Sequence, residues 1–217
     1  MLYLCGMIDV SSPIFAISRH RFNVDGKGVV TLVTSYGCPL RCKYCFNQIC
    51  WQEPNSRSWK TPEELYHEIK KDELYYITTN GGVTFGGGEP MLRAEFIRDF
   101  RKLCGSLWKI RLETSLCANV ETLDQLIPIV DEWIIDIKSM DDDVYLGYTG
   151  ITSIPRNTCL QYIVEHNLQD RCLIRIPLIP DYTTQADQQH DKKILEEMGF
   201  TRFDLFNYII PKHHEQR

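Results

Sequence analysis

The sequence predicts an α/β fold in which parallel strands curl into a partial (β/α)6 barrel. Two observations carry this. Six short apolar runs rich in Val, Ile, Leu and Phe recur along the chain, and all but the last are followed by a segment with helical spacing. Strands that alternate with helices pair in parallel through right-handed crossovers, with both faces of the sheet expected to be covered. Six such units favour a curled sheet over a flat one. The 217 residues suit one domain, 1–217, with residues 1–28 as an N-terminal extension and loop packed on the barrel.

The first strand is TLVTS, at 31–35. A cysteine-rich loop follows. Thr61, Pro62 and Glu64 then supply an N-cap, a first-turn proline and a capping-box acid, so a helix starts there. GGVTFGG is a short buried strand ending in glycines, and Leu92, Phe96, Phe100 and Leu103 set a helix over 91–104. KIRLETS is the third strand, and the helix over ETLDQLIPIV ends or kinks at Pro128. EWIIDIKS, CLIRIPLIP and FDLFNYII are the last three strands, separated by helices over PRNTCLQYIVEH and DQQHDKKILEEMGF. The first twenty residues are the least patterned and are expected to form a small hairpin beside the sheet. Loops at the C-terminal ends of parallel strands gather active sites, which puts the cysteine loop, the glycine run and the ends of IDIK and RIPLIP together.

Composition narrows the function. A net charge of -5 argues against a protein that grips nucleic-acid phosphates. No basic start with a long apolar run marks a signal peptide or a membrane span, so a cytoplasmic address is expected. In a reducing compartment clustered cysteines are metal ligands or redox groups rather than disulfides. Four of the nine cysteines fall in GCPLRCKYCFNQICW, as Cys38-x3-Cys42-x2-Cys45 and then Cys50. Cys5, Cys104, Cys117, Cys159 and Cys172 are scattered in apolar surroundings and read as buried packing.

Four thiolates would close a zinc site or an ordinary four-cysteine iron–sulfur cluster; three would leave one iron open to another ligand. No second close pair of Cys or His supports zinc, and His213 and His214 stand at the chain's end. An electron-carrying or metal-sensing module that uses Cys50 leaves GGGEP, 86–90, unexplained. That run places bare backbone at a strand's C-terminal end, where a ligand can approach without meeting a Cβ.

Cys-x3-Cys-x2-Cys with Tyr44 before the last cysteine, joined to the glycine run ending in Glu89, resembles the radical S-adenosylmethionine (SAM) family. The resemblance extends over nearly the whole chain to the activating enzymes of glycyl radical enzymes, through VDGKGVVTLV, GGVTFGGGEP, FNQICW, ETS, IDIK and RIPLIP. It implies a 4Fe-4S cluster on Cys38, Cys42 and Cys45, with SAM on the fourth iron, and an oxidoreductase that cleaves SAM reductively to a 5′-deoxyadenosyl radical. It also implies SAM contacts from Tyr44, the backbone of Gly86, Gly87 and Gly88, and the side chains of Glu89, Glu113, Lys138 and Arg175. A monovalent cation on Asp136, with Glu113 and Thr114, and a substrate contact from Asp25 follow from the same resemblance. So do a glycyl radical enzyme as protein substrate and flavodoxin or ferredoxin as electron donor. A small molecule or ribosomal peptide is the alternative substrate. The chain departs from the family in having Asp181 where glycine is common and Tyr208-Ile209 where Tyr-His closes the last strand. It lacks the extra cysteine-rich insert, so one cluster is expected.

Overall fold

A computed structural model describes residues 10–210; Cys5, His213 and His214 lie outside them. The chain opens with β1 (Ser12–Phe22), β2 (Val29–Ser35) and the two-residue β3 (Trp59–Lys60). Next come α1 (Pro62–Ile69), α2 (Glu73–Thr79), β4 (Gly82–Gly87) and α3 (Ala94–Cys104), then β5 (Lys109–Thr114), α4 (Val120–Leu126) and β6 (Glu132–Asp136). The last third holds α5 (Asp142–Thr149), α6 (Ile154–Glu165), β7 (Cys172–Leu178), α7 (Gln185–Glu197) and β8 (Phe203–Asn207).

One sheet contains all eight strands in the order β3-β1-β2-β4-β5-β6-β7-β8. From β2 to β8 every pair is parallel and spatial order follows chain order, so crossovers of one hand place the helices on one face of these strands. Those six strands are the six expected from sequence. The ladder does not close on itself, because β3 and β8 remain its two edges.

Side-chain alternation sorts the sheet into two faces. Val83, Phe85, Ile110, Leu112, Trp133, Ile135, Ile174 and Ile176 belong to the main apolar core with Phe96, Phe100, Leu126, Ile163 and Leu195 from the helices. The intervening positions mix polar residues, Thr84, Arg111, Glu113, Asp136, Arg175 and Asp204, with apolar ones such as Ile134, Leu173 and Phe206. Two-sided burial of a parallel sheet normally demands apolar residues on both faces, so Glu113, Asp136 and Arg175 mark where this face opens onto a cavity instead of packing under helices.

Three details differ from the sequence reading. Residues 12–22 do not form a hairpin beside the sheet; they are a strand within it, antiparallel to β2, with β3 on the far side. The irregular pattern has a cause: the pairing of β1 and β2 is interrupted by register shifts, which breaks the inside–outside alternation. The buried face of α3 is Phe96, Ile97, Phe100 and Cys104, while Leu92 is exposed and precedes the helix. No element is expected over 141–150 from the sequence, yet helix α5 stands there. Asp141 in fact caps the helix by accepting from the Val144 amide, Asp142 and Asp143 suit its positive end, and Gly150 closes it at φ 79°.

Candidate active site

The cysteine loop leaves the C-terminal end of β2 and is held from three directions. Amides of Arg41 and Lys43 donate to the carbonyls of Thr149 and Tyr148 at the end of α5, at 2.8 and 3.1 Å. The Gly37 amide donates to the Cys50 carbonyl at 2.8 Å and shuts the loop on itself. From the far edge the Tyr208 hydroxyl donates to the Tyr44 carbonyl at 2.6 Å, and the Tyr44 hydroxyl donates to Asp181 at 2.8 Å. Asp181 has φ 66°, the left-handed region that glycine enters freely and Asp tolerates. Tyr44, Tyr148 and Tyr182 pack edge to face beside the loop, with ring centroids 5.0–6.2 Å apart.

The glycine run is fitted to this loop. A Cβ on Gly88 would lie 2.1 Å from the Gly37 carbonyl oxygen, and one on Gly87, at φ 89°, would lie 2.5 Å from Thr34 Cβ. Close passage of β4 against β2 and the cysteine loop therefore demands these glycines. The contact is sealed by Gly88 N–H to Ser35 O at 3.0 Å and Glu89 N–H to Gly37 O at 2.8 Å.

Glu89 is 1% exposed and faces four donors. One oxygen accepts from Thr114 Oγ1 at 2.6 Å and the Met91 amide at 3.2 Å; the other accepts from Ser115 Oγ at 2.7 Å and the Ser115 amide at 3.0 Å. A carboxylate has about four acceptor positions, and here protein groups fill them. Glu89 thus works first as a latch from the end of β4 to the end of β5.

A cavity of about 390 Å³ opens over these strand ends. Cys38, Cys42 and Cys45 line one side of it and Gly87, Gly88 and Glu89 the floor. Asp25, Glu113, Thr114, Asp136, Lys138 and Arg175 face them, so twelve residues singled out by sequence or resemblance meet in one place. Gly86 lies deeper, its Cβ position 3.3 Å from Glu113 Cβ, and Tyr44 sits in the aromatic cluster behind the loop.

Charges in the cavity are arranged in pairs. Lys138 Nζ is 2.5 Å from Asp136 Oδ2. Burial opposes that ammonium, but Asp136 and the Cys42 thiol outweigh it and raise its pKa well above the usual lysine value. The other Asp136 oxygen is buried with no hydrogen-bond partner. Arg175 donates to Glu113 at 2.6 Å and to Asp204 at 3.2 Å, with its guanidinium carbon 4.8 Å from the Phe206 ring centroid. Burial raises the Glu113 pKa and Arg175 offsets part of that rise. Asp25 is 5% exposed, paired with Arg21, and its carbonyl accepts from Thr84 Oγ1 at 2.6 Å.

Three thiols face the cavity and the fourth does not. Cys50 is buried at 2% exposure, on the other side of the loop, where it shares a second depression with Cys38. Its S–H interacts with the sulfurs of Cys38 and Cys45, so Cys50 is driven far from ionising, while the same bond lowers the Cys45 pKa to about 7. Burial pushes Cys42 up to about 12, and ionising it takes a cation beyond the nearby Lys138. Cys104, Cys117, Cys159 and Cys172 are free and buried, as the sequence implied.

The residues fit an iron–sulfur cluster with a chelating ligand. Among the described residues no three ligand side chains are gathered tightly enough for a single metal ion, so the three thiols lining one cavity suit a larger iron–sulfur cluster; the orphaned Asp136 oxygen suits a cationic or donor group, and Arg175 with Lys138 suits a carboxylate. The sequence reading missed Asp204, Phe206 and Phe46. Their signal was weak: Asp204 breaks an apolar strand as Arg175 does, but only the β7–β8 register pairs the two.

A parallel sheet that gathers thiols, a glycine turn and ion pairs at its strand ends defines a cofactor-dependent α/β enzyme core. The chain belongs to the radical SAM superfamily, whose family model matches residues 32–192. It is similar to the pyruvate formate-lyase 1-activating enzyme of Escherichia coli (strain K12), 28% identical over 173 residues that make up 77% of this chain and 68% of that protein. It is also similar to the pyruvate formate-lyase-activating enzyme of Clostridium pasteurianum, 35% identical over 127 residues, 58% of this chain and 53% of the relative. Among solved structures, Streptococcus suis SuiB bound to S-adenosylmethionine superposes with a TM-score of 0.64 at 17% identity, over 84% of this chain. The chain spans 41% of SuiB. The protein anSMEcpe with bound AdoMet gives 0.62 at 17% identity, over 84% of this chain and 52% of anSMEcpe. These structural likenesses concern the fold. Among the described residues no helix is long and apolar enough to cross a membrane.

Proposed function

We propose that this chain is a cytoplasmic activase of the glycyl radical type: it cleaves SAM reductively at a 4Fe-4S cluster and removes an α-hydrogen from a glycine of a partner glycyl radical enzyme. The observation that carries the reading is the convergence of Cys38, Cys42 and Cys45 with the Gly87–Gly88 turn and the ion pairs in one cavity. Bound there, a cluster with SAM would supply one-electron chemistry at the sulfonium. The electron comes from flavodoxin or ferredoxin.

The chain's own residues bind, orient and exclude water. Cys38, Cys42 and Cys45 would hold the iron and give up their thiol protons to do so. Arg175, fixed by Glu113 and Asp204, and Lys138, fixed by Asp136, are positioned for the carboxylate and ribose of SAM. The free oxygen of Asp136 serves a monovalent cation or the SAM amino group together with the backbone of Gly87 and Gly88. Glu89, with its acceptor positions filled by protein, holds the floor in shape. Phe46, Phe206 and Tyr208 form an apolar rim that keeps water off the reacting carbon.

Anaerobic reconstitution with iron and sulfide, followed by reduction with SAM, is expected to give 5′-deoxyadenosine. Adding a glycyl radical enzyme should give a doublet glycyl signal in electron paramagnetic resonance. SAM cleavage without that doublet for any partner encoded beside it would move the substrate to a small molecule or a ribosomal peptide. A cluster indifferent to SAM would reject the enzyme reading.

A further inference from the structure

The loop that joins β1 to β2, residues 23–28, supplies Val24 and Asp25 to the cavity lining. Val24 is 62% exposed and Asp25 buried, so this stretch of wall runs from solvent into the cavity. The loop's own bonds tie only its ends: the Asn23 amide donates to the Gly28 carbonyl at 3.2 Å and the Gly28 amide to Asn23 Oδ1 at 2.8 Å. Its middle is held by the sheet. Thr84, fully buried on β4, donates through Oγ1 to the Asp25 carbonyl at 2.6 Å. Gly26, at φ 128°, lies so close to Arg111 of β5 that a Cβ would stand 2.4 Å from the Arg111 Cδ and 2.5 Å from its Nε. Arg111 is buried and itself fixed, with Nε donating to Glu132 at 2.8 Å and Nη2 to the Asn80 carbonyl at 3.3 Å. The Asp25 carboxylate differs from that of Glu89. Protein groups fill the acceptor positions of Glu89, whereas among the described residues only Arg21 donates to Asp25, through Nε and Nη2. That leaves about two of its acceptor positions for a ligand in the cavity.

We propose that Thr84 and Arg111 are positioning residues for the protein substrate: they hold the 23–28 loop against the sheet so that the Asp25 carboxylate accepts a backbone N–H of the partner segment that carries the target glycine. The inference rests on the activase reading. A segment drawn from water into the cavity needs acceptors for its amides. A carboxylate gives a charge-assisted bond to the main chain without reading a side chain, which suits a glycine that has none. Removal of one chosen hydrogen tolerates little displacement, since a misplacement of about 1 Å can cost about a hundredfold in rate. A loop tied only at its ends does not hold a carboxylate to that tolerance. Thr84 and Arg111 add the constraint from β4 and β5, the strands that also carry the glycine run and Glu113, so the substrate wall and the cavity floor share one rigid frame.

Two measurements test this. In the cluster-free protein, Thr84→Val keeps the side-chain shape, removes the hydroxyl and should speed hydrogen exchange of the 23–28 amides about fivefold. Gly26→Ala pushes the loop off Arg111 and should do the same. Reconstituted protein reduced with dithionite is then assayed with the glycyl radical enzyme encoded beside it, by the glycyl doublet and by 5′-deoxyadenosine. Thr84→Val should raise the KM for that partner about fivefold, while the KM for SAM and partner-free 5′-deoxyadenosine formation stay within about twofold of wild type. Thr84→Ser should restore the partner KM. Asp25→Ala retains the backbone carbonyl and should raise the partner KM about tenfold; adding Thr84→Val to it should change that KM by less than about twofold, because the hydroxyl acts through Asp25. Exchange at the wild-type rate, an unchanged partner KM, an equal rise in the KM for SAM, or additive effects in the double variant would overturn the proposal. Should Gly26→Ala fold poorly, the Thr84 series decides. Wild-type protein that forms 5′-deoxyadenosine but no doublet rejects the activase reading, and the positioning role falls with it; a doublet with unaltered variant kinetics rejects the positioning role alone.

Discussion

Replacing Glu89 by Gln distinguishes a structural latch from a direct SAM ligand. The substitution keeps size and shape but turns one acceptor oxygen into an NH2. Of the four groups that donate to Glu89, the Thr114 and Ser115 hydroxyls can rotate and accept instead. The backbone amides of Met91 and Ser115 cannot, and they sit on opposite oxygens. Whichever way the amide turns, one buried N–H faces another. That loss costs about 1–3 kcal/mol, and exchanging charge-assisted for neutral bonds at the remaining positions costs about 1 kcal/mol more. A total near 3 kcal/mol lowers Tm by about 6–12 °C in a chain of this size. Thermal unfolding of the cluster-free protein by circular dichroism measures it, and SAM affinity of the reconstituted protein is read alongside. A Tm within about 2 °C of wild type together with SAM binding weakened more than tenfold would refute the latch and make the carboxylate a SAM contact.

Cys50→Ala should retain wild-type iron and sulfide content, since three thiols face the cavity. In the cluster-free protein it should slow alkylation of Cys45 at pH 7 by about threefold: the Cys45 pKa returns from about 7 toward about 8.5, the thiolate fraction falls, and higher nucleophilicity recovers part of the loss. Loss of the cluster in this variant would restore a four-cysteine site. Asp204→Asn frees one side of Arg175 and should raise the KM for SAM about threefold with kcat little changed; an unchanged KM would remove Arg175 from SAM binding. Asp72 is 1% exposed, bonded to Arg19 at 2.5 and 2.6 Å with a ring nitrogen of His20 at 2.9 Å, and the Arg19 bond heads the effects that lower its pKa. A depressed folded-state pKa gives stability that is full above the unfolded value of about 3.9 and disappears as pH falls through the folded value. Asp72→Asn should therefore cost about 3 kcal/mol in urea unfolding at pH 7 and progressively less below pH 4, and a constant difference down to pH 2 would contradict the ion pair.

Sequence alone settled the features whose physics is local. Strand and helix runs declare themselves through apolar spacing, Thr61 and Glu64 form the capping box their types predict, and thiols at Cys38, Cys42 and Cys45 advertise metal ligation wherever the loop lies. Resemblance added Asp136, Lys138 and Arg175, and the cavity contains them. What depended on two distant segments meeting was settled only by tertiary structure. The glycine run looked like an open approach for a ligand, but its Cβ positions are taken by Thr34 and Gly37, because β4 passes tightly against β2 and the cysteine loop. Glu89 became a latch only when the end of β5 brought Thr114 and Ser115 to it. Asp204 joined Arg175 through strand register, and α5 emerged from an acidic stretch because its far end gives carbonyls to the cysteine loop. Where Cys50 sits was equally undecidable from spacing: four residues of loop can place a sulfur on either side, and the folded loop buries Cys50 outside the lining of the cavity while its S–H reaches the sulfurs of Cys38 and Cys45.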